Sequence, residues 1–184
     1  MSGLPYQEIK KRCEKYKLID PYHEKTVFDG KSFGNSESGY DLRIRETITV
    51  YPVTLTNLAI NALYKIYHTL TFSKSRYKEP RPSFVLASTL ETFNIQNDIR
   101  AEIKDKSSWI REGLSVHNTV CEPGWHGTLT LELKNVGSNV IKLKSGHPIA
   151  QVLFTKLTAA TIKSYKGKYQ NQPARPVESI KEKE

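Results

Sequence analysis

Hydrophobic and polar residues alternate along much of the second half of the chain. The alternation is clearest over 127–134, and a shorter alternating run covers 99–103; a further predicted strand covers 149–155. A period of two residues is typical of β-strands that bury one face. The remaining predicted strands cover 40–44, 84–90 and 140–143. Because Gly-containing turns join the later strands closely, the pattern predicts a mainly β fold, an antiparallel sandwich or distorted barrel, rather than βαβ units.

Two segments have the 3.6-residue period of an amphipathic helix. The first follows Pro5 and predicts a short N-terminal helix whose apolar stripe is Ile9, Cys13 and Tyr16. The second predicts a helical insertion at about 54–70 whose apolar stripe is Leu58, Ala59, Ala62, Leu63 and Ile66. The strings at 29–39 and 73–83 are rich in Gly, Ser, Pro and charged residues, which predicts loops.

The composition suits one compact domain over 1–184. The chain has 184 residues, of which 38% are hydrophobic, so it can build a core. No run approaches the roughly 18 apolar residues that a membrane span needs. The two cysteines, Cys13 and Cys121, form no CxxC pair, which is typical of free thiols in a reducing compartment. We therefore expect a cytoplasmic protein with no membrane span.

The charge of the chain favours anionic partners. A net charge of +9 fits nucleic acid or nucleotide phosphates, unless the lysines only solvate the surface. The C-terminal segment 163–184 carries six basic residues against three Glu, and it contains Tyr165 and Tyr169. This segment is either a flexible basic tail or a lid that closes over phosphates.

Glu132 is the candidate general acid/base. Side chains alternate across a strand, so the predicted strand 127–134 places its three leucines on the core face and Glu132 on the opposite face. In the simplest interpretation, Glu132 is an ordinary solvent-facing carboxylate. If another element or subunit covers its face, Glu132 can instead be poised for proton transfer. The period alone leaves both interpretations open.

A serine pair precedes an arginine in the middle of the chain. Ser107 and Ser108 follow a predicted strand and predict the start of a third helix, with a serine as N-cap. Such a pair also presents hydroxyl and N–H groups to an anion. Arg111 lies about one turn later and adds a fixed positive charge, and Lys106 adds another. Capping and anion binding both fit these residues.

Several familiar motifs are absent from the sequence. It has neither the H-x-E nor the P-C-x-x-C of zinc-dependent base deaminases, and no GxxxxGK[ST], GxGxxG, HExxH or GxSxG. His117 is a lone histidine on a predicted strand, which we interpret as a structural residue rather than a metal ligand. These absences argue against a zinc-dependent base deaminase, and no metal ligand stands out among the motifs.

Four blocks resemble, in the same order, the signature blocks of dCTP deaminase, a family of the trimeric dUTPase-like superfamily. They read KSSWIREGLSVHNT, EPGWHGTLTLELKN, SGHPIAQVLF and YKGKYQNQ. In addition, SGYDL at 38–42 is similar to the family's first block, and LASTLETF at 86–93 is similar to the strand before the serine block. The helical insertion has no counterpart in this resemblance. Each block is short, but their common order makes a chance match improbable.

The resemblance implies a dUTPase-like sandwich that deaminates dCTP to dUTP and ammonia without zinc. By position, Glu132 would take a proton from the water that attacks cytosine C4, and would then deliver protons to N3 and the departing amine. Ser107 would orient that water or stabilise the tetrahedral centre, and Arg111 would hold the carboxylate. The family builds each site between subunits of a homotrimer, which would cover Glu132.

The resemblance also implies how the nucleotide binds. Residues near the phosphates would be Lys106, Ser108 and Gln151, and residues of a closing tail at the sugar and phosphates would be Tyr165, Lys168 and Gln172. Mg²⁺ would arrive on the triphosphate, coordinated mainly by phosphate oxygens and water. Feedback inhibition by dTTP is a further expectation, whereas nucleic acid is not the expected partner.

One loop departs from the family pattern. Where the family has Thr-Ala, a short spacer and Ile-Asp-Pro-Gly, this chain reads TVCEPG at 119–124, so the loop is shorter and Glu122 replaces Asp. The family's acid faces the deoxyribose and, in enzymes that hydrolyse dUTP, helps to activate water. Val120 stands where a backbone carbonyl meets the cytosine amine. Alternatives are therefore a bifunctional dCTP deaminase and dUTP diphosphatase, a dUTPase, or a non-catalytic nucleotide- or nucleic-acid-binding protein.

Overall fold

The computed structural model describes residues 2–71 and 81–181. Within these residues, the helices and strands follow in the order β1 (Ser2–Gly3), α1 (Tyr6–Tyr16), β2 (Ile19–Asp20), β3 (Thr26–Phe28), β4 (Lys31–Asn35), β5 (Tyr40–Arg43), β6 (Ile48–Val50), α2 (Leu55–Thr71), β7 (Phe84–Asn94), β8 (Ile99–Asp105), α3 (Ser107–Ile110), β9 (Leu114–Val116), β10 (Val120–Cys121), β11 (His126–Asn135), β12 (Ile141–Leu143) and β13 (Pro148–Lys156).

The strands form two main antiparallel sheets. One is seven-stranded in the order β10-β8-β13-β5-β4-β3, with β1 also paired to β13. The other is four-stranded in the order β2-β7-β11-β9, and β6 and β12 form a separate pair. These pairings confirm the prediction of a mainly β, antiparallel architecture.

The core lies between the two main sheets. Leu42 and Val152 of the larger sheet are fully buried, and so are Leu131 and Leu133 of the smaller one. Alternation in β11 and β13 supplies these side chains, because every second residue of a strand faces the same way. Leu129 is an exception to the predicted leucine face, because the pairing of β11 with β7 shifts register between Thr128 and Thr130. Leu129 is only half-buried and lines a cavity.

A hairpin corrects the prediction of a loop over 29–39. Strands β3 and β4 pair across the turn Asp29-Gly30, in which both residues have positive φ, 48° and 76°. An Asp-Gly pair is the typical sequence of a two-residue hairpin turn. The run after it carries one large apolar residue, Phe33, so hydrophobic alternation gave little sign of the strand.

Helix α2 confirms the helical insertion, but its apolar stripe does not pack on the core. Thr54 caps the helix, since the Asn57 N–H donates to its Oγ1 at 3.1 Å. Asn57 is buried, whereas three stripe residues are more than half exposed, namely Leu58, Leu63 and Ile66.

The two shorter helices also differ in detail from the predictions. In α1, Ile9 and Cys13 are buried, but Tyr16 is 43% exposed, so the buried stripe is shorter than predicted. Helix α3 confirms a helix at the serine pair. Its N-cap is Lys106 with no side-chain cap bond, however, so the predicted serine N-cap is wrong.

The described residues include no helix that is both long and apolar enough to span a bilayer. Most of the predicted loop at 73–83 lies outside the described residues.

Candidate active site

A cavity of about 400 Å³ opens between β11, the segment that leads into β10, and the C-terminal tail. This volume is within the range of small-molecule sites. Its wall combines aromatic and apolar side chains with two carboxylates and two amides. Its lining residues include Asn118, Val120, Glu122, Thr130, Glu132, Tyr165, Tyr169 and Gln172.

Strand β11 holds Glu132 at the wall of this cavity. Glu132 is half-buried and stands opposite Leu86 of β7, which also lines the cavity. Its backbone is fixed on both sides, because its carbonyl accepts from the His117 N–H at 2.8 Å and its N–H donates to Asn118 Oδ1 at 3.2 Å. Among residues 2–71 and 81–181, no Lys, Arg or His forms an ion pair with the Glu132 carboxylate. The carboxylate is therefore available to a ligand.

The tail covers the polar face of β11. Gln172 Oε1 accepts from the Thr130 N–H at 3.2 Å and from the Thr130 hydroxyl at 2.9 Å. The Thr128 N–H donates to the Gln172 carbonyl at 3.0 Å, and the Val177 N–H donates to Thr130 Oγ1 at 3.0 Å. Thr128 and Thr130 are consequently buried although they lie on the side predicted to face solvent. The tail of the same chain thus supplies part of the cover that a reactive Glu132 requires.

Gly127 allows the tail to approach this closely. Its φ is 140°, and a Cβ there would lie 2.5 Å from the Gln172 backbone nitrogen. A side chain at this position would push the tail away from the strand.

Five of the predicted site residues meet in this cavity, namely Val120, Glu122, Glu132, Tyr165 and Gln172. Burial raises the pKa of the neighbouring Cys121 to about 12, so this thiol stays uncharged at neutral pH. The Ile180 N–H donates to the Tyr169 hydroxyl at 3.2 Å, which lowers the pKa of that phenol. The cavity wall therefore combines two carboxylates with neutral hydrogen-bonding groups.

The predicted serine and arginine residues lie elsewhere in the chain. Ser107 and Ser108 form the start of α3, and Arg111 lines a second cavity of about 530 Å³ with Ser138 and Asn139. Ser107 and Arg111 are exposed. The Ser108 hydroxyl is buried and has no hydrogen-bond partner in the described parts of the chain. A single chain does not bring these groups to Glu132.

The predicted phosphate ligands are also dispersed. Lys106 is buried, with its Nζ 2.6 Å from Asp41 Oδ2, so that carboxylate already neutralises the ammonium group. Gln151 lies on β13, where its Nε2 donates to Ser36 Oγ at 3.3 Å. Lys168 is on the tail, with its Nζ 5.4 Å from the Tyr169 ring centroid. Within this chain, Lys106 is therefore held in a structural ion pair and does not form an open phosphate site.

Two site residues escaped the sequence analysis. Asn118 and Thr130 line the cavity and bond to the backbone or the tail around Glu132. Thr130 has a weak signal, because it shares the predicted face of Glu132. Asn118 belongs to the block KSSWIREGLSVHNT, but its role has no sequence signal, since it lies between strands and its partners are backbone groups.

The described ranges 2–71 and 81–181 contain no group of three or more His, Cys, Asp or Glu side chains arranged to hold a metal ion.

The fold of the protein is dUTPase-like. The chain superposes on the dUTPase of EIAV with a TM-score of 0.50 at 14% identity, over 82% of this chain and 97% of that chain. This likeness concerns the fold and confirms the predicted dUTPase-like architecture.

Sequence comparison narrows the class to one family. The family model described as dCTP deaminase-like matches residues 4–157. A protein of Pelagibacter ubique named dCTP deaminase is 33% identical over 94% of this chain and 96% of its own length. Another of that name, from Wolbachia sp. subsp. Brugia malayi, is 34% identical over 94% of this chain and 95% of its own length. The chain belongs to the dCTP deaminase-like family.

Proposed function

We propose that this protein hydrolyses dCTP to dUTP and ammonia. The observation that carries the proposal is Glu132, a half-buried carboxylate without an ion-pair partner in the described residues, in a nucleotide-sized cavity. The relatives named dCTP deaminase, which match almost the whole chain, support it independently. The residues 1–184 would act as one unit, and free thiols at Cys13 and Cys121 suit a cytoplasmic enzyme.

In the proposed reaction, Glu132 moves the protons. Its carboxylate takes a proton from water as the water oxygen bonds to cytosine C4, and this proton passes to N3. Glu132 then takes the hydroxyl proton and delivers it to the amine, the C4–N bond breaks, and ammonia leaves with a C4 carbonyl behind. Ser107 would orient the water, and the Arg111 guanidinium would hold the carboxylate. This chemistry is proposed to proceed without zinc.

The dispersal of the predicted residues supports a site shared between copies of the chain. Glu132 lines one cavity, whereas Arg111 lines another and Ser107 is exposed on α3. We propose a homotrimer in which α3 of one copy faces the Glu132 cavity of its neighbour. A cyclic trimer repeats one such contact three times and closes.

The tail would then hold the nucleotide in place. Tyr165, Lys168 and Gln172 are proposed to contact the sugar and phosphates. The Val120 carbonyl is proposed to accept a hydrogen bond from the cytosine amine. Ser108 and Gln151 are proposed phosphate contacts, and Lys106 would reach phosphate only by sharing its charge with Asp41. The triphosphate would carry Mg²⁺ on its own oxygens. Occupation of the same cavity by dTTP would account for feedback inhibition.

A second activity is favoured by Glu122. This carboxylate lines the same cavity as Glu132, in the position where the family resemblance assigns sugar recognition or water activation. We therefore propose dUTP diphosphatase activity as the alternative or additional reaction. If the protein were only a dUTPase, or only a non-catalytic binder of nucleotides or nucleic acid, the Glu132 cavity would have no role in deamination.

Product analysis separates these functions. The protein is incubated with dCTP, dCMP or dUTP plus Mg²⁺, and ammonia and pyrophosphate are quantified. Deamination predicts ammonia and dUTP from dCTP, and diphosphatase activity adds pyrophosphate. Binding of DNA that weakens with salt, without turnover of any nucleotide, would contradict the proposal and favour a binding protein.

Glu132→Gln is the decisive variant for this proposal. We expect ammonia release to fall by about 10³-fold or more, while the Kd for dCTP stays within about threefold, because the amide keeps the shape but cannot accept the proton. Glu102→Gln, which replaces a half-buried acid of β8 in an ion pair with Arg100, is the control and should behave as wild type. Persistent turnover in Glu132→Gln would overturn the assignment of Glu132.

A further inference from the structure

Asn118 lies where the chain crosses from one sheet to the other. Strand β9 pairs with β11 up to Val116, and the last backbone bond joins the His117 N–H to the Glu132 carbonyl at 2.8 Å. Two residues after Asn118, Val120 already pairs with Glu102 of β8 in the larger sheet. This crossing leaves the edge of β11 beside Glu132 without a neighbouring strand and opens the cavity there.

The side chain of Asn118 takes the place of the missing strand. Its Nδ2 donates to the Thr130 carbonyl at 2.7 Å, and its Oδ1 accepts from the Glu132 N–H at 3.2 Å. A primary amide offers a donor and an acceptor at one end, as a peptide group does. The Asn118 side chain thus replaces a strand backbone as the hydrogen-bond partner of β11 at Thr130 and Glu132.

The hydrogen bond from the Glu132 N–H to Asn118 fixes the backbone from which the Glu132 side chain begins. Without Asn118, the Glu132 N–H would lack this partner, and the strand would turn to bring it to water or ligand. That turn would move the Cα that carries the carboxylate. Reacting groups tolerate little displacement, and an error of about 1 Å can cost about 100-fold in rate.

From this geometry we infer that Asn118 is a positioning residue for Glu132. It holds the acid/base on the open edge of β11 through the backbone and keeps a neutral group beside the carboxylate. The inference rests on the proposed deamination for its kinetic consequence. Its electrostatic consequence, the titration of Glu132, can be measured without turnover.

Two substitutions of Asn118 separate these consequences. Asn118→Val removes both hydrogen bonds at similar size, and we expect kcat for ammonia release to fall about 10- to 100-fold with KM changed less than about threefold. Asn118→Asp keeps the acceptor but adds a negative charge next to Glu132, which disfavours the charged carboxylate. The acidic limb of the pH–kcat profile should then move up by about one pH unit.

The Glu132 carboxyl carbon is also titrated by NMR, with its resonance assigned by its loss in Glu132→Gln. The charge added by Asn118→Asp should shift this titration to higher pH, whereas Asn94→Asp, which adds the same charge at the exposed end of β7, should leave it unchanged. Thermal unfolding of each variant identifies a general loss of structure.

Wild-type kcat in Asn118→Val, or an unmoved Glu132 titration in Asn118→Asp, would overturn the inference. If the wild-type protein releases no ammonia from dCTP, the proposed function fails instead. The NMR titration then decides on its own whether Asn118 controls the Glu132 carboxyl.

Discussion

Two carboxylates approach the same cavity from different strands. Glu132 is half-buried in the middle of β11, whereas Glu122 is exposed just after β10. Burial and covering by the tail favour proton transfer at Glu132, and exposure favours a binding role for Glu122. The two acids are therefore expected to respond differently to substitution.

Removal of the Glu122 carboxylate should weaken substrate binding more than it slows chemistry. For Glu122→Ala we expect KM for dCTP to rise about tenfold while kcat stays within about threefold, because a sugar hydroxyl loses a charged partner. Steady-state ammonia release measures both constants. Glu37→Ala, which removes an exposed acid in an ion pair with Lys25, should change neither constant. A fall in kcat equal to that of Glu132→Gln would instead assign Glu122 to the chemical step.

The sequence predicts some of these residues and not others for physical reasons. Glu132 and Glu122 occur in one contiguous block, and Val120 lies between two blocks, so their order along the chain identifies them. The partnership of Thr130 with Gln172 spans 42 residues, and Asn118 bonds to backbone groups of any sequence. Contacts of this kind can be identified only from the structure, in which the pairing of the strands is known.

At the scale of elements, the C-terminal tail and β11 form one unit. Gln172 bonds to the backbone and hydroxyl of Thr130, and Trp125 Nε1 donates to the Tyr169 carbonyl at 2.7 Å. These bonds hold the tail over the cavity, so the tail and β11 together form part of its wall.

Thr130→Val should loosen the tail without removing a carboxylate from the cavity. The variant loses the hydroxyl that bonds to Gln172 and accepts from Val177, so we expect faster tail cleavage in limited proteolysis and a KM for dCTP raised about threefold to tenfold. Thr155→Val on β13 is the matched control. Equal cleavage of both variants at the wild-type rate would contradict a latch at Thr130.

The hairpin β3–β4 contacts the serine helix α3 and the residues beside it. Lys31 Nζ lies 2.9 Å from Glu112 and 4.1 Å from the Trp109 ring centroid, and Asp29 accepts from His147 Nε2 at 2.9 Å. The His147 hydrogen bond lowers the pKa of Asp29. Hydrophobic periodicity could not predict these contacts, because they are polar and the strands of the hairpin are short.

At the scale of the whole molecule, the N-terminal helix is tied to the sandwich by a charged pair. The Arg12 guanidinium bonds to both carboxylate oxygens of Asp98, at 2.9 and 2.7 Å. The Arg12 hydrogen bond lowers the pKa of Asp98 below its ordinary value. Asp98 therefore stabilises the fold above its unfolded pKa of about 3.9, and this contribution is lost as the pH falls through the lower folded pKa.

Asp98→Asn should remove that acid-sensitive contribution. We expect the free energy of unfolding at pH 7 to fall by about 1–2 kcal/mol, after allowance for the partial exposure of Asp98. Urea unfolding at pH 7 and near pH 3 measures it, and the difference between variant and wild type should shrink at the lower pH. A difference that is constant with pH would assign the loss to packing rather than to the charge.

A single sequence predicts the architecture of this protein better than it predicts that the site residues lie apart. Alternation in β8 and β11, β-forming residues in β7, and closely spaced Gly-containing turns were sufficient to predict the antiparallel sandwich. By contrast, α2 carries apolar residues that the core of this chain does not cover, and α3 lies apart from Glu132. Periodicity reports that a face is apolar or polar, and it contains no information on which chain covers it.

The central claim is a deaminase site that two copies of the chain complete together. Glu132→Gln and Arg111→Ala are purified separately, each is assayed for ammonia release from dCTP, and the two are then unfolded, mixed in equal amounts and refolded. Each variant alone should be inactive. A mixed trimer with one contact per neighbour should recover about a quarter of wild-type activity, because about one site in four combines an intact Glu132 with an intact Arg111. A mixture that assembles but remains as inactive as its components would contradict the shared site.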